Sequence, residues 1–206
     1  MMIHQVETRC KQIAFTFDDG PDPVYTPQVA ALFREYGGSA TFFVVGRALE
    51  QYPEVAKALH AEGHELGNHT YSHPSLSRVG EAERREELER TDALIEAIAG
   101  AKPASFRAPY LDANEEVEAL VRARGYVSAG GTNLNSRDWD PPGVEFIVDT
   151  IRPVLRPGSV ILLHDGGGDR SQTVEAVRRL LPEVVALGLE PVTFGELVRG
   201  AAELRE

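Results

Sequence analysis

The sequence predicts an α/β protein, a single-domain barrel of parallel strands, on three observations. Short apolar, β-rich runs alternate with segments of helical periodicity through almost the whole chain, making seven strand–helix units. No GxGxxG or GxxxxGK[ST] loop follows any of these strands, which removes the usual argument for an open, nucleotide-binding sheet. Unusual polar residues recur just past the C-terminal ends of five strands, and a barrel gathers those ends on one rim.

The elements follow in order. Residues 12–17 read as a buried strand and 26–36 as a helix. Residues 40–45 (ATFFVV) are an apolar β-rich run, and 53–62 form a helix with Pro53 in its first turn. Residues 64–67 are a weak third strand. Residues 81–99 form a long helix with Leu88, Leu94, Ile95 and Ile98 on one face, its many Glu and Arg residues read as a solvated face. Strands at 105–107, 126–129 and 159–163 then alternate with helices at 115–124, 144–155 and 173–187. A seventh strand at 190–194 precedes a last helix.

Composition narrows the class. With 206 residues, 42% of them hydrophobic, the chain suffices for one domain with a full core, taken as residues 1–206 with its centre at 12–197. Acidic residues outnumber basic ones 32 to 21, giving a net charge of −11 and no basic cluster, so no nucleic-acid partner is expected. No apolar run approaches the roughly twenty residues of a membrane span. Cys10 is the only cysteine, which excludes an intrachain disulfide or a thiolate metal cluster. The N-terminus MMIHQVETRCKQ has no signal-peptide core. A cytoplasmic, monomeric protein is expected, or an extracellular or cell-wall one if an export segment preceded this chain.

The chemistry collects in the strand-end clusters. His69 and His73, four apart, would share one side of a helical turn, although that spacing also describes two surface histidines. Thr70 follows the first histidine, so the pair is not the HExxH helix of metalloproteases. A carboxylate must come from elsewhere, and Asp18-Asp19-Gly20 offers one. Two imidazoles and one carboxylate are the open catalytic zinc set. Zn²⁺ is the first expectation, with Co²⁺ or Ni²⁺ suited to the same donors. Whichever aspartate does not bind the metal is then placed to act as a base, and Arg107 could hold it through a bidentate pair. Asp138 beside His164 would raise that histidine's pKa and make it a general acid. Trp139 reads by default as core, and His4, His60 and His64 lie off the rim as structural residues.

At these residues the sequence resembles the polysaccharide deacetylase family (NodB homology, carbohydrate esterase family 4). Its motifs appear in order: TFDDG at Thr16–Gly20, H[ST]xxH at His69–His73, RxPY at Arg107–Tyr110, DW at Asp138–Trp139 and LLH at Leu162–His164. The resemblance implies a distorted (β/α)7 barrel and a metal-dependent hydrolase that removes N-acetyl groups from N-acetylglucosamine-containing poly- or oligosaccharides. It implies Asp18 as base, with Asp19, His69 and His73 as ligands of one divalent metal. It makes Arg107 the support of the base, the Tyr110 N–H an oxyanion donor, and His164 the acid tuned by Asp138. Trp139 and Leu162 would wall the acetyl pocket. Two positions depart from the usual pattern: Asn135 replaces the first Asp of DxxDW, and Leu111 replaces the Gly that often follows RxPY. An O-acetyl esterase acting on acetylxylan is the rival within the same chemistry, and a catalytically idle sugar-binding module the rival outside it.

Overall fold

In β1 (Gln12–Asp18), alternate side chains go to opposite sides of the sheet. Ile13, Phe15 and Phe17 pack outward into the main core with Phe33 and Phe42, while Ala14 lies with Phe43, Val160 and Phe194 inside the barrel. Thr16 and Asp18 continue the inward series, so β1 delivers a carboxylate to the barrel mouth. In β6 (Val160–His164) the same alternation sends Ile161 and Leu163 outward, and leaves His164 at the mouth opposite Asp18.

This computed structural model describes residues 1–203, so the expected domain end at residue 206 lies outside the described residues. The remaining strands are β2 (Thr41–Val44), β3 (Glu65–Asn68), β4 (Ser105–Phe106), β5 (Val127–Ser128) and β7 (Glu190–Val192). All strand pairs are parallel, and the order is β5-β4-β3-β2-β1-β6. The seventh strand pairs only with Gln12–Ala14 of β1, below the stretch paired with β2. The seam between β5 and β6 is bridged by the N-terminal segment, where Ile3 pairs with Ala129 and Gln5 with Ser159. His4 pins the same seam, its Nδ1 lying 3.0 Å from the Gly131 carbonyl oxygen. The expected seven-unit barrel is present, closed in part by residues that carry no strand pattern.

Eight helices are described: α1 (Tyr25–Tyr36), α2 (Gly46–Gln51), α3 (Pro53–Ala61), α4 (Glu81–Ala99), α5 (Glu115–Ala123), α6 (Val144–Ile151), α7 (Ser171–Ala186) and α8 (Phe194–Glu203). None is long and apolar enough to cross a membrane. The sequence reading missed α2, which is only six residues long and stops just before Pro53. The expected helix over 144–155 ends at Ile151, and Pro153 falls in a 3-10 turn over Arg152–Val154. Most of α4's Glu and Arg residues are exposed, as expected of a solvated face, but three of its charged residues are not. Arg84, Glu87 and Asp92 lie on the buried stripe with Leu88, Thr91 and Ile95.

His64 is structural, as expected, and its surroundings predict a pH dependence. It is 3% exposed, edge-on to Phe33 and Phe42, with Nδ1 accepting the Ala40 N–H at 3.1 Å. Its Nε2 is buried without a partner. Burial pushes the imidazole below its ordinary value of 6.5, aided by Arg34 and opposed by Glu62. A depressed histidine pKa means the unfolded chain takes up the proton first, so this contribution to stability declines as pH falls below about 6.5. The Tm should therefore fall between pH 7 and 5. His64→Gln, which keeps an acceptor for the Ala40 amide, should show a flatter dependence; equal slopes would remove His64 from the account.

Candidate active site

Asp18 is 4% exposed, and the wholly buried Arg107 donates to it from Nη1 to Oδ1 at 2.6 Å. The expected bidentate pair does not form. Arg107 lies inside the barrel under the mouth, where Nη2 donates to Thr16 Oγ1 at 2.8 Å and to the Gly130 carbonyl at 2.6 Å. Its planar fork is thus divided between the carboxylate and the barrel wall. The other Asp18 oxygen, Oδ2, lies 3.8 Å from His69 Nε2.

Asp19 turns the chain itself, with φ at +73°. This left-handed residue brings two consecutive carboxylates to one mouth, where a continued strand would send them to opposite faces. The turn is packed tightly, since a Cβ on Gly166 would lie 2.2 Å from the Asp19 carbonyl oxygen. Asp19 Oδ1 is 3.2 Å from His73 Nε2 and 3.6 Å from His69 Nε2. Burial opposes ionisation of Asp19, but hydrogen bonds from His69 and His73 and the charges of His69 and His164 prevail and hold it well below the usual carboxylate range.

The histidines converge without the expected helical turn. Thr70 and His73 have φ of +66° and +63°, and the rings meet with centroids 4.9 Å apart. The loop is shaped from α4, where Glu87 Oε2 accepts the Tyr71 and Ser72 amides at 2.8 and 2.7 Å. His69 Nδ1 lies 2.7 Å from the Arg107 carbonyl oxygen, a contact that makes Nδ1 the protonated nitrogen and turns Nε2 to Asp19.

The ligand atoms of Asp19, His69 and His73 all lie within 4.8 Å of one another. Donors about 2.0–2.2 Å from a tetrahedral ion stand roughly 3.3–3.6 Å apart, which the two carboxylate–imidazole distances match. The donor set and the oriented His69 tautomer fit a divalent metal. Burial works against a charged His69, but Asp18 and Asp19 prevail and raise its pKa.

Across the cleft, Asp138 holds His164. Its Oδ1 is 2.9 Å from His164 Nδ1, and its Oδ2 accepts the His164 N–H at 2.8 Å and Thr173 Oγ1 at 2.9 Å. Burial works against the charged imidazole, yet the Asp138 bond and charge, with Asp18 and Asp19 nearby, raise its pKa. Trp139 is not in the core: it is 53% exposed and lines the cleft with Tyr110, Leu111, Leu134 and Leu162. Asn135 is exposed.

The fold therefore gathers every sequence-predicted site residue around one cleft of about 890 Å³, with Arg107 behind its base. Sequence reasoning missed the supports. Thr173 and Glu87 left no motif, though Glu87's position on the apolar stripe of α4 was a readable signal. Arg170 joins the loops carrying Trp139 and Gly166 by donating to both carbonyls. Buried Asp165 accepts from Thr26 beneath the Asp19 turn, and burial, with the charges of Asp19 and Asp18, pushes its carboxyl up to about 7.

Comparison with known proteins gives the same grouping. Residues 5–129 match the family described as polysaccharide deacetylase. A peptidoglycan-N-acetylglucosamine deacetylase of Bacillus cereus is 40% identical over 196 residues, covering 95% of this chain and 92% of that protein. A chitooligosaccharide deacetylase of Sinorhizobium fredii is 38% identical, covering 85% of this chain and 86% of that one. The crystal structure of a peptidoglycan N-acetylglucosamine deacetylase bound to an N-hydroxybenzamide superposes with a TM-score of 0.91 at 30% identity, over 96% of this chain and 92% of that one. Sequence identity along nearly the full length and the shared barrel make this chain a member of the polysaccharide deacetylase family (NodB homology, carbohydrate esterase family 4).

Proposed function

We propose that the protein is a metal-dependent hydrolase that removes N-acetyl groups from N-acetylglucosamine-containing oligo- or polysaccharides and releases acetate. The observation that carries this reading is the Asp19–His69–His73 triad, set between the carboxylate of Asp18 and the imidazole of His164. Similarity to enzymes named for peptidoglycan and chitooligosaccharide deacetylation supports the amino-sugar substrate class.

Each residue then has a task. Asp19, His69 and His73 would hold one divalent ion, with Zn²⁺ favoured by the donors and Co²⁺ or Ni²⁺ compatible with them. Such an ion supplies Lewis acidity, polarising the acetyl carbonyl and making water a better nucleophile. Asp18 takes the proton of the attacking water on Oδ2, because Oδ1 is engaged by Arg107. The Tyr110 N–H, turned by φ of +60°, donates to the oxyanion that develops on the acetyl oxygen. His164, with Nδ1 engaged by Asp138, delivers a proton from Nε2 to the amide nitrogen. The C–N bond breaks, leaving acetate and a free amine. Trp139 and Leu162 enclose the acetyl methyl.

The test is acetate release from a chitooligosaccharide, peptidoglycan glycan and acetylxylan, with Zn²⁺ supplied. The proposal expects acetate and free amine in equal amounts from at least one of the first two. Release from acetylxylan alone would make the protein an esterase. Binding without release from any would make it a sugar-binding module.

A further inference from the structure

Two adjacent residues at the cleft, Tyr110 and Leu111, have left-handed backbones, with φ of +60° and +54°. Neither is a glycine or an asparagine, the residues that tolerate this region, so both are strained. Strain of this kind persists only where neighbouring structure over-determines it. Here Pro109 opens the turn, the Leu111 N–H donates to the Ala108 carbonyl at 3.0 Å, and the Asp112 N–H donates to Pro109 at 3.0 Å. The Asp112 side chain also accepts from Ser75 and Ser77, lashing the turn to the segment after His73.

The Leu111 side chain gains no core burial from this arrangement. It is half-buried, lies outside all three apolar clusters, and lines the cleft beside Tyr110, Leu134 and Trp139. Tyr110, 71% exposed, rests its ring on His73 at 4.7 Å between centroids. A cleft of about 890 Å³ lies near the top of the usual range for small-molecule sites, roughly 300–1,000 Å³, and is larger than an acetamido group needs.

We propose that Leu111 is a specificity-determining contact, held in the cleft at the expense of backbone strain so that its side chain packs on the apolar ring face of the glycan. This rests on the deacetylase reading above and deepens it. Leu111→Gly removes both the contact and the strain. Leu111→Ala removes the contact but keeps a Cβ in the left-handed position.

The experiment measures Tm, kcat and KM of both variants with Zn²⁺ supplied, on whichever of a four-sugar chitooligosaccharide and peptidoglycan glycan the unsubstituted protein deacetylates. Both should raise KM about tenfold with kcat nearly unchanged, as for loss of a uniform apolar contact. The Gly variant should melt about 2–4 °C above the Ala variant, the reverse of the usual order for these residues. An unchanged KM would show that Leu111 does not touch the glycan and would overturn the proposal. A Gly variant melting below the Ala variant would remove the strain argument and overturn it equally. Absence of acetate release by the unsubstituted protein from both the chitooligosaccharide and peptidoglycan glycan would instead defeat the deacetylase reading, and this inference with it.

Discussion

Asp19→Ala should empty the metal site and abolish activity, whereas Asp18→Asn should keep the metal and lose only turnover. The asymmetry comes from the backbone turn at Asp19. Its carboxylate is the one brought within 3.2 and 3.6 Å of the two imidazole nitrogens, so its loss leaves two donors out of three. Asp18 is held back by Arg107, and its free oxygen is 3.8 Å from His69, close enough to assist but not the best-placed donor. Asparagine keeps the shape and an acceptor for Arg107 but takes no proton. The kcat of Asp18→Asn should fall about 10²–10⁴-fold with KM largely retained. Metal stoichiometry and kinetics on both variants decide it. Metal lost from Asp18→Asn but kept by Asp19→Ala would exchange the two roles.

His164→Ala should lower kcat by about 10²–10⁴-fold and leave the metal content unchanged. His164 is absent from the Asp19–His69–His73 group and is tied instead to Asp138. An acid must be protonated to work, and Asp138 raises the His164 pKa above its ordinary value of 6.5. Activity should therefore persist above pH 6.5 and decline on the alkaline side as His164 loses its proton. Asp138→Asn removes the charge that raises this pKa, so the alkaline limb should move to lower pH. An alkaline limb that stays in place in Asp138→Asn would detach it from His164. Loss of metal from His164→Ala would make that histidine a ligand.

The strands, most helices and the donor residues were legible in the sequence because they depend on local pattern. Ile13, Phe15 and Phe17 alternate with inward residues in β1, and that period carries Asp18 to the mouth without further information. The shape of the metal loop was not legible. It depends on Glu87 reaching the Tyr71 and Ser72 amides from a helix fifteen residues on, and this gives a non-helical loop where the spacing suggested a helical turn. The division of Arg107 between Asp18, Thr16 and Gly130 depends on barrel closure, which brings together segments far apart in the chain. That closure draws on Ile3 and Gln5, in a stretch with neither apolar alternation nor helical period. Leu111 was visible as a departure from a motif, but its left-handed backbone and its place in the cleft required the fold.

The most direct measurement is acetate release from a chitooligosaccharide by protein stripped of metal with a chelator, then titrated with Zn²⁺. Activity should be negligible at the start, rise linearly and saturate at one Zn²⁺ per chain, with one free amine formed per acetate. Full acetate release before any metal is added, in a sample shown by elemental analysis to be metal-free, would contradict metal dependence.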